Sequence, residues 1–203
     1  MNWLELIEQT QHCQRNWNYD KLISLETIDW LFDVGYNMPT KQNLSSIQIV
    51  AFTNKQAIQD LTDNAIASET ERHLRHIKNP QVSAPLIFGF FMREDSTEVE
   101  RSQKKRVGND TTNIEIGIAS GAMALAANSI GLRTGFCKCF TPLEKGKKTY
   151  TSKLLKRNNL HFKNLCLLLG VGYPNDSIPS NQGPTGLLYK TFPKEYQAGK
   201  LII

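Results

Sequence analysis

Cysteines and histidines carry the most reactive side chains in this chain, and their spacing argues against two common kinds of site. Cys137 and Cys139 are separated by one residue, but the chain has four cysteines in all and lacks the second cysteine pair and clustered histidines of a structural zinc site. We therefore expect two packed or cofactor-facing thiols and no metal; a metal site or redox pair is the less favoured alternative. Cysteines this few and irregular suit a reducing compartment.

The histidines are scattered along the sequence, at His12, His73, His76 and His161. None of them has an acid and a nucleophile at a spacing that suggests a catalytic triad. The sequence therefore disfavours a hydrolase, and we name no catalytic side chain.

A polar segment near the start of the chain is the first candidate for binding a ligand. It consists of Gln14, Arg15, Asn16, Trp17 and Asn18. Arg15 and the backbone amides around it can bind a phosphate, since a charge-assisted hydrogen bond contributes about 1.5 to 3 kcal/mol. Ordinary surface charge is the alternative interpretation of Arg15.

The charge is distributed unevenly between the two halves of the chain. Residues 1–100 hold 8 Lys and Arg against 14 Asp and Glu, whereas residues 101–203 hold 16 against 5. A solvated surface, attraction of an anionic cofactor, and nucleic-acid binding can each explain a basic half. The sequence has no recognisable nucleic-acid-binding motif, and its aromatic residues do not interleave with the basic ones, so nucleic acid is the disfavoured partner.

The bulk composition is that of an ordinary globular protein, with 40% apolar and 21% charged residues. The 203 residues fit one domain over residues 1–203. No early stretch is apolar enough for a signal peptide, and no run of about 20 apolar residues could span a bilayer. We therefore expect a cytoplasmic protein without a membrane partner.

Apolar periodicity and turn residues predict a mixture of helices and strands. Ser24 is a good N-cap, Thr112 or Asn113 can cap a later helix, and Gly131 is a natural C-cap for that helix. The predicted helices cover residues 2–13, 25–35, 55–67, 113–131 and 143–157, and the predicted strands cover residues 47–52, 84–92, 133–140 and 165–171.

The helix that ends at Gly131 carries small side chains at spacings of three and four, namely Gly117, Ser120, Gly121 and Ala124. Such spacing lets another backbone approach closely, so we expect this helix to be buried nearly all round.

The two longest segments without a predicted helix or strand are residues 93–112 and residues 175–203, apart from a possible short strand at residues 201–203. Residues 93–112 are charged and aperiodic, which favours a mobile loop or lid. Residues 175–203 hold Pro179, Pro184 and Pro193, which favours an extended C-terminal arm. An arm of this length needs a surface to lie on, such as a second protomer.

The order of these motifs resembles the nitroreductase family across almost the whole chain. A helix leads to the polar segment, and a second helix leads to residues 39–43 and a strand. Later come the small-residue helix, the strand at residues 135–140 and a buried strand that ends near Gly172 and Pro174. The resemblance implies an α+β fold with a central, mostly antiparallel sheet flanked by helices, and an intertwined homodimer that exchanges its C-terminal arms.

The resemblance also implies FMN as the cofactor. Residues 14–18 match the family's phosphate-binding segment, which normally reads Arg-Arg-Ser-x-Arg. Of its arginines only Arg15 is kept, followed by Asn16, Trp17 and Asn18, so we expect a weaker grip on the phosphate. Lys190 matches the basic pair that usually supplements this site; surface charge is its alternative interpretation.

Residues 39–43 match a Pro-Ser-x-x-Asn loop that approaches the flavin from the neighbouring subunit. The loop begins with Pro39. The resemblance implies that Thr40 and Asn43 offer short polar groups to the pyrimidine edge of the flavin. Lys41 offers a cation that could steady a reduced, anionic flavin. The alternative is a plain polar turn before a strand.

Two further segments are implied to lie beside the flavin ring. Asn79 and Gln81 are candidates for polar contacts with the ring. The strand at residues 135–140 is implied to direct a backbone amide at flavin N5, with Cys137, Lys138 and Cys139 alongside. Lys138 stands where the family often has an acidic residue, a departure that bears on how nicotinamide or substrate is held.

The implied activity is a two-step oxidoreductase reaction. NAD(P)H would pass a hydride to flavin N5 and leave, and an electrophile such as a nitroaromatic or a quinone would then accept two electrons. Deiodination, azoline oxidation and flavin destruction stay open within the same fold. The alternative from another class is an FMN-binding or storage protein without significant turnover, which the thinned phosphate motif permits.

Overall fold

The computed structural model describes residues 2–43, 45–63, 79–93, 98–138, 149–158, 160 and 162–177. The helices are α1 (Trp3–Thr10), α2 (Leu25–Tyr36), α3 (Lys55–Asp63), α4 (Glu98–Ser129) and α5 (Tyr150–Arg157). The strands are β1 (Trp17–Asn18), β2 (Ile47–Phe52), β3 (Leu86–Arg93), β4 (Arg133–Cys137) and β5 (Phe162–Pro174). Short 3-10 turns cover Lys41–Asn43 and Pro80–Val82. Among these residues no helix is both long and apolar enough to cross a membrane.

The five strands form one sheet in which every described pairing is antiparallel. β3 lies between β2 and β5, with Ile49 opposite Phe90 and Phe88 opposite Leu169. β4 pairs with the other edge of β5, and β1 pairs with the end of β5. The prediction of an α+β fold with an antiparallel sheet flanked by helices is confirmed.

The core lies on both faces of the sheet because successive side chains of a strand point to opposite sides. On one face, Phe88 packs with Leu31 of α2 and Met123 of α4. On the other face, the neighbouring Ile87 packs with Leu61 of α3 and Leu155 of α5. The sheet is therefore covered by α2 and α4 on one side and by α3 and α5 on the other.

The predicted helix ends are confirmed where Ser24 and Gly131 stand. The Ser24 side chain accepts a hydrogen bond from the backbone N–H of Thr27, which satisfies one of the free donors at the start of α2. Gly131 has a φ of +84°, a left-handed conformation that glycine adopts without the steric cost of a side chain.

The start of α4 differs from the prediction. The helix begins at Glu98 and is 32 residues long, so Thr112 lies inside it and does not cap it. The interpretation of residues 93–112 as a loop or lid is therefore wrong for residues 98–112. These residues are rich in Glu, Lys, Arg and Gln, which favour helix through their own propensity and need no apolar stripe to form one.

In the single chain the small-residue helix is not buried nearly all round, and its burial by a second protomer stays a prediction. Met123 and Ala124 are fully buried, but Ile114 is 61% exposed and Ile118 is 40% exposed. Outside its own helix, a Cβ added at Gly117 or Gly121 would meet no atom of the described residues within 4 Å. One apolar face of α4 is therefore open. The predicted arm lies outside the described residues from residue 178 onward.

Candidate functional site

The polar segment, residues 14–18, lies along the sheet where β4 and the end of β5 meet. The backbone N–H of Gln14 donates to the carbonyl of Thr134 at 2.8 Å, and the carbonyl of Asn16 accepts from the N–H of Asn175 at 3.1 Å. Trp17 and Asn18 form β1 by pairing with Pro174 and Tyr173. The segment is thus fixed at both ends by backbone hydrogen bonds, although its own sequence has no strand pattern.

Arg15 is half-buried in this segment. Its Nη1 donates to the carbonyl of Cys13 at 3.0 Å, which holds the guanidinium beside the backbone that precedes β1. A guanidinium stays charged at any physiological pH, and its planar fork of donors matches the oxygens of a phosphate. Arg15 therefore suits an anion that approaches this edge of the sheet.

The other side chains of the polar segment differ in their burial and in their hydrogen bonds to the rest of the protein. Trp17 is 4% exposed, and its indole N–H donates to the carbonyl of Pro80 at 2.8 Å, so its ring serves packing. Asn16 is also 4% exposed. Asn18 is half-buried, and its Oδ1 accepts from the N–H of Asp20 at 2.9 Å.

The turn that holds Asn79 and Gln81 lies against both the polar segment and β4. Asn79 is buried; its Oδ1 accepts from the N–H of Gln81 at 3.0 Å, and its Nδ2 donates to Cys137 Sγ at 3.2 Å. Trp17 holds the same turn through Pro80. Of the four predicted segments that the described residues include, the structure thus brings together three: residues 14–18, residues 79–81 and the end of β4.

Two glycines let this turn approach the sheet. A Cβ at Gly170 would lie 2.2 Å from the carbonyl oxygen of Gln81, and a Cβ at Gly135 would lie 2.8 Å from that same oxygen. The Gly135 position would also meet the carbonyl oxygen of Gln14 at 2.9 Å. Gly135 and Gly170 are paired across β4 and β5 and so form one depression in the sheet. Glycine is needed at both positions because a side chain there would overlap the turn.

The cysteines and the lysine at the end of β4 have different environments. Cys137 is 2% exposed beneath Asn79, whereas Lys138 is exposed. On β5, burial raises the pKa of the Cys166 thiol, while a backbone hydrogen bond at Met92 and the positive charge of Lys138 partly lower it. The described residues hold no group of three or more His, Cys, Asp or Glu placed to bind a metal. Cys139 and Lys190 lie outside the described residues.

The loop at residues 39–43 occupies a separate position, beside α4. Pro39, Lys41 and Asn43 are exposed and Thr40 is half-buried. The N–H of Asn43 donates to the carbonyl of Thr40 at 3.2 Å, and Asn43 has a φ of +56°, a left-handed conformation that asparagine tolerates better than most residues. The loop is therefore a tight turn that presents short polar groups at the surface.

Glu115 of α4 is a residue of this region that the sequence analysis missed. It is 3% exposed, and its carboxylate accepts hydrogen bonds from the backbone N–H groups of Lys41 and Ser46. The sequence does contain one indication of this role. Glu115 is an acidic residue inside a helix that is predicted to be buried, and a buried charge requires partners.

The fold is that of an α+β protein, with an antiparallel sheet between two layers of helices. Arg15 and the polar turns at one edge of this sheet form a candidate anion site. The sequence matches the nitroreductase family over residues 9–173. The chain belongs to the nitroreductase family. Comparison with curated proteins finds no match.

Solved structures share this fold at low sequence identity. A nitroreductase with bound FMN from Bacteroides fragilis NCTC 9343 is 17% identical with a TM-score of 0.64, covering 100% of this chain and 99% of that one. A nitroreductase with bound FMN from Desulfitobacterium hafniense DCB-2 is 16% identical with a TM-score of 0.62, covering 95% and 100%. A nitroreductase family protein from Clostridium novyi NT is 17% identical with a TM-score of 0.62, covering 89% and 91%.

Proposed function

We propose that this chain is an FMN-dependent oxidoreductase that takes two electrons from NAD(P)H and passes them to a small electrophile such as a nitroaromatic or a quinone. The main support is the joining of residues 14–18, residues 79–81 and β4 within the nitroreductase fold. Two structures of similar fold are nitroreductases with bound FMN.

The residues at this edge of the sheet fit a phosphorylated flavin. Arg15 supplies a cation for the phosphate, and the assembled segments add two half-buried amide side chains, Asn18 and Gln81. Lys138 is an exposed cation at the end of β4. Trp17 and Asn79 use their polar atoms within the protein, so in this proposal they shape the site and other groups bind the cofactor. Lys190 and Cys139 remain proposed members of the site.

FMN, when bound, supplies the two-electron carrier that no side chain of the chain can replace. The roles left to the protein are to bind the phosphate through Arg15, to orient the ring with the 79–81 turn and the backbone of β4, and to keep water away from it. In this proposal Thr40, Lys41 and Asn43 contact the flavin of the neighbouring subunit. No side-chain nucleophile is required of the protein.

We also propose that two copies of the chain form a homodimer through α1 and α4. An apolar groove of about 360 Å³ runs between these helices and is lined by residues that include Trp3, Leu6, Met38 and Leu125. Trp3 is 66% exposed and Leu4 is 64% exposed on the same helix, α1. A surface this apolar is costly to leave in water, and a second copy would cover it. Exchange of the C-terminal arms, residues 175–203, belongs to the same proposal.

The test is a spectroscopic titration of the purified protein with FMN, followed by anaerobic addition of NADPH or NADH. We expect bound flavin absorbance that bleaches with at least one of the two nucleotides and returns when a nitroaromatic or a quinone is added. Flavin that binds but does not bleach with either nucleotide would identify a storage protein. Protein that takes up no FMN would refute the proposal.

A further inference from the structure

The strongest unexplained feature of the structure is a buried carboxylate that holds the surface loop at residues 39–43. Glu115 lies on α4 and is 3% exposed. Its Oε1 accepts from the backbone N–H of Lys41 at 3.0 Å. Its Oε2 accepts from the backbone N–H of Ser46 at 3.2 Å and from the Ser46 hydroxyl at 2.7 Å. The carboxylate therefore connects Lys41, inside the loop, with Ser46, three residues after the loop ends.

This bridge is stronger than an ordinary turn contact would be. Hydrogen bonds to an ionised acceptor are roughly twice as strong as bonds between neutral groups, and a carboxylate has enough lone pairs for all three donors. Ser46 Oγ also lies 3.1 Å from the hydroxyl of Thr112, a buried residue one turn earlier on α4. The position of the loop is thus set from the helix, through side chains that are themselves closely packed.

The loop needs such an anchor because it is an exposed turn. Lys41 and Asn43 are exposed, and Asn43 adopts a left-handed conformation. An exposed turn with an unfavourable φ keeps one geometry only where its surroundings determine it. Ile114, the residue before Glu115, lies on the open apolar face of α4, so the same helical turn holds the loop and faces the proposed partner subunit.

We propose that Glu115 is a positioning residue for the flavin: it fixes the 39–43 loop in the geometry that binds the cofactor and ties that geometry to the interface helix. This inference rests on the proposed function. It assigns Glu115 no contact with FMN or substrate, and it predicts that the acid acts through the backbone amides of Lys41 and Ser46.

The test compares Glu115→Gln with Asp60→Asn as a matched control. Asp60 is another acid that accepts from a backbone N–H of a distant element, that of Thr151 at 2.8 Å, but it joins α3 to α5. Both substitutions replace an acid by its isosteric amide, whose NH₂ group cannot accept a hydrogen bond. Each variant is measured for FMN affinity and, without FMN, for hydrogen exchange at the Lys41, Ser46 and Thr151 amides.

We expect Glu115→Gln to speed exchange by tenfold or more at whichever of the Lys41 and Ser46 amides faces the new NH₂ group, and to weaken FMN binding about tenfold. Asp60→Asn should speed exchange at Thr151 and leave the FMN affinity unchanged. Ser46→Ala keeps the carboxylate and both backbone bonds, so it should give a smaller effect in the same direction. It also provides the measurement if Glu115→Gln does not fold.

Three results would overturn the inference. In the first, the Glu115→Gln protein, or Ser46→Ala in its place, binds FMN as tightly as the wild type. In the second, Asp60→Asn weakens FMN binding as much as Glu115→Gln does, which would indicate general destabilisation. In both cases FMN binding by the wild type still supports the proposed function. In the third, the wild type binds no FMN, and the proposed function and this inference fail together.

Discussion

Arg15 is the only arginine or lysine among residues 14–18, so a single substitution can isolate its contribution to phosphate binding. We predict that Arg15→Gln weakens FMN binding by roughly 10- to 150-fold, the equivalent of one charge-assisted hydrogen bond of about 1.5 to 3 kcal/mol. Quenching of flavin fluorescence during a titration measures this affinity.

The control for Arg15→Gln is Lys153→Gln, which removes one positive charge from an exposed position on α5. It should leave the affinity close to that of the wild type. If both variants lose affinity equally, the effect comes from net charge and the assignment of Arg15 to the phosphate is wrong.

The pKa of the Cys166 thiol on β5 responds to the charge of Lys138 at the end of β4. Burial raises the pKa of its thiol, and Lys138 partly lowers it. A raised pKa leaves less thiolate at any pH below it, and the thiolate is the species that alkylates. We predict that the pH midpoint of alkylation by iodoacetamide lies higher for Cys166 in the folded protein than in the unfolded chain. Timed labelling across a pH series, read by peptide mass spectrometry, measures the midpoint.

Lys138→Gln sharpens this prediction, because it removes the charge that favours the thiolate. The midpoint should move further upward in this variant. A midpoint in the folded wild type at or below that of the unfolded chain would show that burial does not control the thiol.

At the level of residues, the sequence could indicate Arg15 but not Glu115. Arg15 is visible because its type and its neighbours match a phosphate-binding pattern. Glu115 matters because α4 brings it against Lys41 and Ser46, more than 65 positions away in the sequence. Similarly, Trp17 and Asn79 have side chains typical of a ligand site, but tertiary packing directs their polar atoms into the protein.

The glycine depression shows how two strands position the 79–81 turn. We predict that Gly170→Ala lowers the free energy of unfolding by about 1 to 3 kcal/mol or more, because the added methyl group would overlap the carbonyl oxygen of Gln81 at 2.2 Å. Unfolding by denaturant, followed by circular dichroism, measures the loss.

Cys166→Ala is the control in the same strand, because it removes volume from a half-buried position instead of adding it. We expect the smaller loss of stability from this control. A Gly170→Ala protein as stable as the wild type would show that the turn can move away from the sheet at little cost.

The elements that could be predicted are those with a local signal. The strands at β2 and β3 have apolar and β-branched residues, and the caps at Ser24 and Gly131 depend on the residues beside them. β1 has no such signal, because it is a strand only through pairing with Tyr173 and Pro174. The first part of α4 was missed because apolar periodicity reports the burial of a face, whereas charged helix formers extend a helix without one.

At the scale of the whole molecule, the apolar surface of α1 and α4 is the feature that bears on the oligomeric state. Ile114 and Ile118 are exposed beside Gly117 and Gly121, and among the described residues outside this helix no atom lies within 4 Å of a Cβ added at either glycine. Glycines on the surface of a helix cost about 0.5 to 1 kcal/mol each relative to alanine. A close approach by a second helix would explain why the sequence accepts that cost.

We therefore predict that the wild type sediments as a dimer and that Ile118→Lys shifts it toward the monomer, because the new charge would have to be buried without a partner. Tyr150→Lys is the control, since Tyr150 is 39% exposed, close to the 40% of Ile118, but lies on α5. Sedimentation velocity over a range of concentrations should give a dimer for the control and a larger monomer fraction for Ile118→Lys. A wild type that stays a folded monomer at the highest concentration would refute the interface. An Ile118→Lys dimer as tight as the wild type would place the contact elsewhere on the surface.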